Sequence, residues 1–249
     1  MRNTIAIDHR IGNTVRRKRA AGALVVLLMA CMCWGQALAQ GANATNVTVD
    51  SASRDGQLIA AAERGDAAQV QRLLAQGASH KARDGRGRTA LLAATHADKP
   101  EVARLLIAAG ADVNAKDGLE DSAFLYAGAE GRLAILKMTL AAGADLKSRN
   151  RYGGNALISA CHHGHVETVR ELLKTKIDID HVNNLGWTAL LETVILGNGD
   201  APYVEITKLL IEHGANLNLA DRAGVSPLAH AKKGGFARIA QMLERAGAR

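Results

Sequence analysis

Cys161, His162, His163 and His165 fall within five consecutive positions of the stretch ACHHGHVETV, residues 160–169. That density of thiol and imidazole donors is what a zinc or other transition-metal site would use. Helical geometry argues against it. Neighbouring residues on a helix point roughly 100° apart, so His162 and His163 cannot both close on one ion, and Cys161 faces the apolar side. We expect no metal here, a structural place for His165 in the turn after Gly164, and a surface place for His162 and His163. Two other groupings are weighed in the same way. GRGRTA, Gly85 to Ala90, has the glycines of a dinucleotide-binding turn but runs from a loop into a helix, without the preceding strand such a turn requires. Asp178 and Asp180 are spaced like an acid–base pair, yet the chain places Asp112/Asn114, Asp145/Lys147 and Asn216/Asn218 at the corresponding points, which makes them a recurring loop pattern. No Ser or Cys stands beside a plausible base, and HExxH is absent. We expect no enzyme, no cofactor and no metal.

The elements that position these residues come from a repeat. The segments GRTALLAA, EDSAFLYA, GGNALISA, GWTALLET and GVSPLAHA align without gaps, and their helix-starting residues Thr89, Ser122, Asn155, Thr188 and Ser226 are separated by 33, 33, 33 and 38 positions. Each carries a short oxygen-bearing side chain suited to cap a helix start, and Pro227 fits the first turn after Ser226. First helices of about two turns are predicted to end at Gly65, Gly131, Gly164, Gly197 and Gly235. Second helices carry Leu pairs such as Leu73–Leu74, Leu105–Leu106, Leu172–Leu173 and Leu209–Leu210, and close on Gly77, Gly110, Gly143, Gly214 and Gly247. With 48% hydrophobic but only 3% aromatic residues in 249, the core must be made of small side chains between closely stacked helices. Two departures stand out. The fifth unit has five extra residues within GNGDAPYVE, expected to loop outward as a recognition loop or a neutral length variant. The fourth has Lys176–Ile177 where the others have Gly-Ala, and a left-handed lysine would cost about 1 kcal/mol.

This sustained period, with its capped helix pairs and turn-rich fingers, resembles the ankyrin-repeat family over essentially all of residues 54–249. The resemblance implies an all-α solenoid of helix-turn-helix units joined by β-hairpin fingers. We expect six units: a cap at 54–83, repeats at 84–116, 117–149, 150–182 and 183–220, and a closing unit at 221–249, where Lys232 and Lys233 replace small apolar residues.

Residues 1–39 read as a secretory signal: the basic cluster Arg16, Arg17, Lys18, Arg19, an apolar run from Ala20 to Trp34, and small residues Ala37 and Ala39 before the cut. The run is short of the roughly 20 residues a membrane span takes. A lipoprotein cut at Cys31 meets bulky Met29, and the Arg16–Arg17 pair lacks the following apolar residue of a twin-arginine signal. Removal of 1–39 takes six basic residues and one acidic, turning 31 and 24 into 25 and 23, so the net charge falls from +7 to +2. That cancels the nucleic-acid reading a strongly basic chain would otherwise invite, and we expect no nucleic-acid partner. Cys31 and Cys33 leave too, so Cys161 has no partner within the mature chain. Residues 40–53 are expected to be a flexible leader, and Asn43 and Asn46 lie in glycosylation sequons relevant only to a eukaryotic secretory route.

The resemblance further implies that partners lie in a groove formed by the fingers and first helices. By alignment, the early part of that groove carries Arg86, Arg88, Leu119, Asp121 and Glu130. Its middle carries Arg151, Tyr152, His162 and His163, and its later part Asn184, Leu185, Trp187, Ile195, Leu196, Arg222, Val225 and Lys233. Tyr152 and Trp187 are conspicuous as hot-spot types, with packing between fingers the competing role for Trp187. The stretch from FLYAGAEG through RYGGNALISACHHGH and the fifth-unit insertion also resembles a group of exported bacterial ankyrin proteins, one type of which is linked to a periplasmic catalase and peroxide resistance. The implied protein is a monomeric periplasmic scaffold or partner of a redox enzyme such as a catalase, without a membrane span in the mature chain. A secreted factor that binds a host or rival-cell protein is the alternative.

Overall fold

The computed structural model describes residues 53–249. The expected signal at 1–39, and the leader apart from Ser53, lie outside the described residues. The described part belongs to one compact unit and contains twelve helices in six consecutive pairs. These are α1 (Arg54–Arg64) with α2 (Ala67–Ala75), α3 (Ala90–His96) with α4 (Pro100–Ala108), and α5 (Ala123–Ala129) with α6 (Leu133–Ala141). They continue as α7 (Ala156–His162) with α8 (Val166–Leu173), α9 (Ala189–Ile195) with α10 (Ala201–Glu212), and α11 (Pro227–Gly234) with α12 (Ala237–Arg245). The odd-numbered helices pack one on the next in one row and the even-numbered in a second row, and each pair packs together. The result is a two-layered solenoid.

Local chemistry sets the pairs. Thr89, Ser122, Asn155, Thr188 and Ser226 are the N-caps predicted, each accepting from the backbone N–H three residues on at 2.9–3.3 Å. Ser53 and Asp66 cap α1 and α2 in the same way. Between the rows lie Leu58, Leu91, Phe124, Leu157, Leu190 and Leu228 from the first helices, against Leu106, Leu136, Leu172 and Leu210 from the second. Ala61, Ala94, Ala127, Ala160 and Ala231 fill the close approaches. Small side chains are what allow short helices to stack this tightly.

Three local expectations change. The fingers form no run of strand among the described residues. Each closes as a turn instead, because one finger Asp or Asn accepts from the two tip amides with a single oxygen. Lys176 is not left-handed: α8 stops at Leu173, Lys174 and Thr175 turn the chain, and the Thr175 hydroxyl donates to the Leu172 carbonyl at 2.6 Å. The fourth unit thus avoids the strain it was expected to carry. α9 ends just before Gly197, as expected, and the left-handed residue that follows it is Gly199, with φ +76°. The fifth-unit insertion does not loop outward as expected. It extends α10 to 12 residues, and Tyr203 folds back so that its hydroxyl donates to the His162 carbonyl at 3.1 Å. Gly197 makes room for this: a Cβ there would stand 2.7 Å from the Tyr203 ring.

Candidate interaction surface

The fingers are built around a residue the sequence reading passed over. Asp84, Asp117, Asn150, Asn183 and Asp221, in the fingers that open the second to sixth units and are numbered with them, recur at 33, 33, 33 and 38 positions, the same register as the N-caps. Each uses Oδ1 to accept from the amides two and four residues on. Asp84 takes Arg86 and Arg88, Asp117 takes Leu119 and Asp121, and Asn150 takes Tyr152 and Gly154. Asn183 takes Leu185 and Trp187, and Asp221 takes Ala223 and Val225. The side chain supplies the acceptor that a neighbouring strand would otherwise provide. It also fixes which way the next residue at each tip points. The interval alone would have revealed this set.

Neighbouring fingers are stitched together. Lys116 Nζ donates to the Arg149 carbonyl at 2.6 Å, and Arg83, one unit earlier, donates to the Lys116 carbonyl. The Gly118 amide donates to the Arg86 carbonyl at 3.1 Å, and the Asn184 amide to the Tyr152 carbonyl at 2.9 Å. Arg222 donates to the Asn184 carbonyl at 2.6 Å. These bonds hold the tips side by side as one surface.

On that surface Arg86, Leu119, Arg151, Tyr152, His163, Asn184, Leu185 and Arg222 are exposed. Asp121, Glu130, His162, Trp187, Ile195 and Leu196 are half-buried beside them. The Arg151 guanidinium lies 4.8 Å from the centre of the Tyr152 ring. Arg88 is not part of the surface. It is only 3% exposed, with Nε on Asp84 Oδ2 at 2.8 Å and Nη1 on Glu63 Oε1 at 3.0 Å. A buried guanidinium needs such partners, and here they use it to tie the second finger to α1. Sequence could not reveal this, because Glu63 lies 25 residues away.

The position that holds Arg88 in the second finger holds Asp121 in the third, beside Asp117 where the second finger has Asp84. An ion pair is thus replaced by two acids. Burial, and next the Asp117 charge, push the Asp121 carboxyl up to about 6.

The histidines stack instead of converging. The His162 and His163 ring centres are 4.6 Å apart at 18°, and those of His163 and His165 are 5.9 Å apart at 10°. Near-parallel rings hold their nitrogen lone pairs in near-parallel planes, which suits packing and not ligation. Among the described residues, no three of His, Cys, Asp and Glu gather as an ion site. Burial lowers the pKa of both His163 and His165. The His165 ring packs against Gly131, where a Cβ would sit 2.7 Å from Nδ1. Cys161 is fully buried, and burial pushes its thiol up to about 12.

A family model of ankyrin repeats, three copies, matches residues 27–117 and 124–221. Among solved structures, an ankyrin repeat domain from Acinetobacter baumannii AYE is 54% identical, with a TM-score of 0.75 over 78% of this chain and 98% of that one. The ankyrin repeat protein EF0377 is 39% identical, with a TM-score of 0.74 over 78% of this chain and 98% of that one. The ankyrin repeat domain of Bcl-3, a member of the IkappaB protein family, is 31% identical, with a TM-score of 0.70 over 77% of this chain and 86% of that one. The putative ankyrin repeat protein YahD of Escherichia coli K12 is 45% identical over 58 residues, 23% of this chain, and the match spans 29% of that protein's length.

Proposed function

The chain belongs to the ankyrin-repeat family, and from that premise we propose an exported module that recognises another protein in the periplasm. Its fingers and first helices form the contact surface, and we assign it no catalytic step. The observation that carries this reading is the exposure of Leu119, Tyr152 and Leu185 on consecutive fingers of an otherwise well-packed chain. Large apolar side chains held open on a rigid scaffold are characteristic of interaction sites. Export rests on the basic cluster, the apolar run and the small residues of positions 1–39. No helix among the described residues is long and apolar enough to cross a membrane. The resemblance to exported catalase-linked ankyrin proteins favours an oxidative-stress enzyme such as a catalase as the partner, and a monomeric scaffold as the form. A secreted factor would carry the same signal and would accumulate in culture medium.

Affinity capture from periplasmic extract tests this, with the chain as bait beside a Tyr152→Ala/Trp187→Ala double variant of verified fold. A partner held by the first and lost by the second is the expected result. A partner held equally by both would put the contact on another face. Accumulation of the protein in the medium, with none in the periplasm, would replace the scaffold by the secreted factor.

A further inference from the structure

The recognition reading leaves open what kind of segment the fingertips take, and their chemistry narrows it. The large hydrophobic side chains most exposed among the described residues are Leu119, Tyr152, Val182 and Leu185, all on fingers. Leu119, Tyr152 and Leu185 occupy one tip position at intervals of 33. The second finger has Arg86 at that position, Arg151 adjoins Tyr152, and Arg222 crosses from the sixth finger onto the fifth. None of these three arginines forms an ion pair with a described residue. Asp84, Asp117 and Asp221 turn inward, their Oδ1 atoms occupied by tip amides. Glu120, exposed, and Asp121, half-buried, are the acids that remain at the tips, both beside Leu119. The strip is therefore an apolar row with exposed arginines on the second, fourth and sixth fingers and its outward acids on the third alone.

We propose that this fingertip strip docks an extended segment of a partner protein whose contacting face carries both apolar side chains and carboxylates. An extended chain turns every second side chain to one face, so apolar residues and carboxylates that share the i, i+2, i+4 positions would meet the row in which Arg86 stands with Leu119, Tyr152 and Leu185. The carboxylates would meet Arg86, Arg151 and Arg222, whose guanidinium groups suit bidentate pairing. A second copy of this chain fits poorly, because apposed strips would set arginine against arginine. The proposal rests on the reading of the chain as a protein-recognition module.

Fluorescence anisotropy with a short labelled peptide in which Leu and Asp/Glu take turns at every second position, with Ser between, tests it, using the protein as its cell produces it. One comparison peptide has Lys for every acid and another has Ser for every Leu. The acidic apolar peptide should bind at least about tenfold more tightly than either. Leu119→Ser/Leu185→Ser should weaken it about tenfold or more, and Arg86→Glu/Arg151→Glu should transfer the preference to the Lys peptide. All four positions are exposed, and an unchanged unfolding midpoint verifies each variant. Equal binding of the acidic and Lys peptides, or wild-type affinity in both variants, overturns the proposal. So does self-association of the chain that Leu119→Ser/Leu185→Ser abolishes. A partner that depends on Tyr152 and Trp187 but does not compete with the acidic peptide overturns the strip while leaving the module reading in place.

Discussion

Asn183 and Glu192, nine residues apart, are joined side chain to side chain, the Asn183 amide donating to Glu192 Oε1 at 2.8 Å. The same nine-residue link joins Asn150 to Ser159 at 3.3 Å and His230 to Asp221 at 2.7 Å. In the last three fingers, the residue that clamps the tip with one atom thus holds the following first helix with another. The chemistry of the link varies while its geometry is kept.

Glu192 is the costliest of these to remove, because it is only 3% exposed and its other oxygen stands 3.4 Å from His162 Nδ1. Glu192→Ala leaves the Asn183 amide without its acceptor and opens a void, and should destabilise the chain by about 2–4 kcal/mol. Glu192→Gln keeps the acceptor and should cost about 1 kcal/mol or less. Urea unfolding of both variants checks the contrast.

Glu120 has φ +64° at a tip position where the other fingers place Gly87, Gly153, Gly186 and Gly224, all with positive φ. A side chain in the left-handed region is strained and glycine is not. Glu120→Gly should therefore raise stability by roughly 0.5–1 kcal/mol, although it gives the unfolded chain more freedom. Thermal unfolding should show a higher midpoint, and a lower one would mean that the third tip is not strained.

Asp121 makes stability depend on pH in an unusual direction. Its folded pKa of about 6 lies above the ordinary 3.8, so ionisation costs the folded state more than the unfolded one. Below about pH 4 the penalty is absent; it grows between about pH 4 and 6 and is complete above. Asp121→Asn should be more stable than the parent at pH 7.5 by about 1–3 kcal/mol, with the gap closing towards pH 4. Denaturation series at several pH values would reveal a constant gap if the carboxyl were in fact unperturbed.

Cys161 should resist alkylation in the native state, since a thiol pushed up to about 12 has a thiolate fraction of only ~10⁻⁴ at pH 8. Iodoacetamide at that pH should leave it unmodified for hours and label it promptly in concentrated urea. Rapid native labelling would mean that α7 opens readily.

The solenoid was legible in the sequence because it is made of local signals repeated at a fixed interval. An N-cap such as Asn155 acts three residues along the chain, and a closing glycine such as Gly110 acts within its own turn. What escaped the sequence depends on partners a full unit or so away. Arg88 reads as a surface arginine until Glu63, 25 residues back, is seen to hold it. The insertion reads as a loop until Tyr203 is found on His162, 41 residues earlier. Lys176 misled differently: the glycine pattern suggested a left-handed residue, but α8 simply ends sooner. The exposed surface was legible in part, Leu119, Tyr152 and Leu185 from their shared position, whereas Arg88 was lost to burial.

The stacking of each helix pair mainly on its neighbours governs how the molecule yields to force. Pulled from its ends, a solenoid of this kind peels unit by unit from a terminus and does not rupture at once. A 33-residue unit frees on the order of 110 Å of contour length at about 3.4 Å per residue. The fifth unit, with 38 residues between successive caps, frees about 17 Å more. That longer tooth would mark its place in any extension trace.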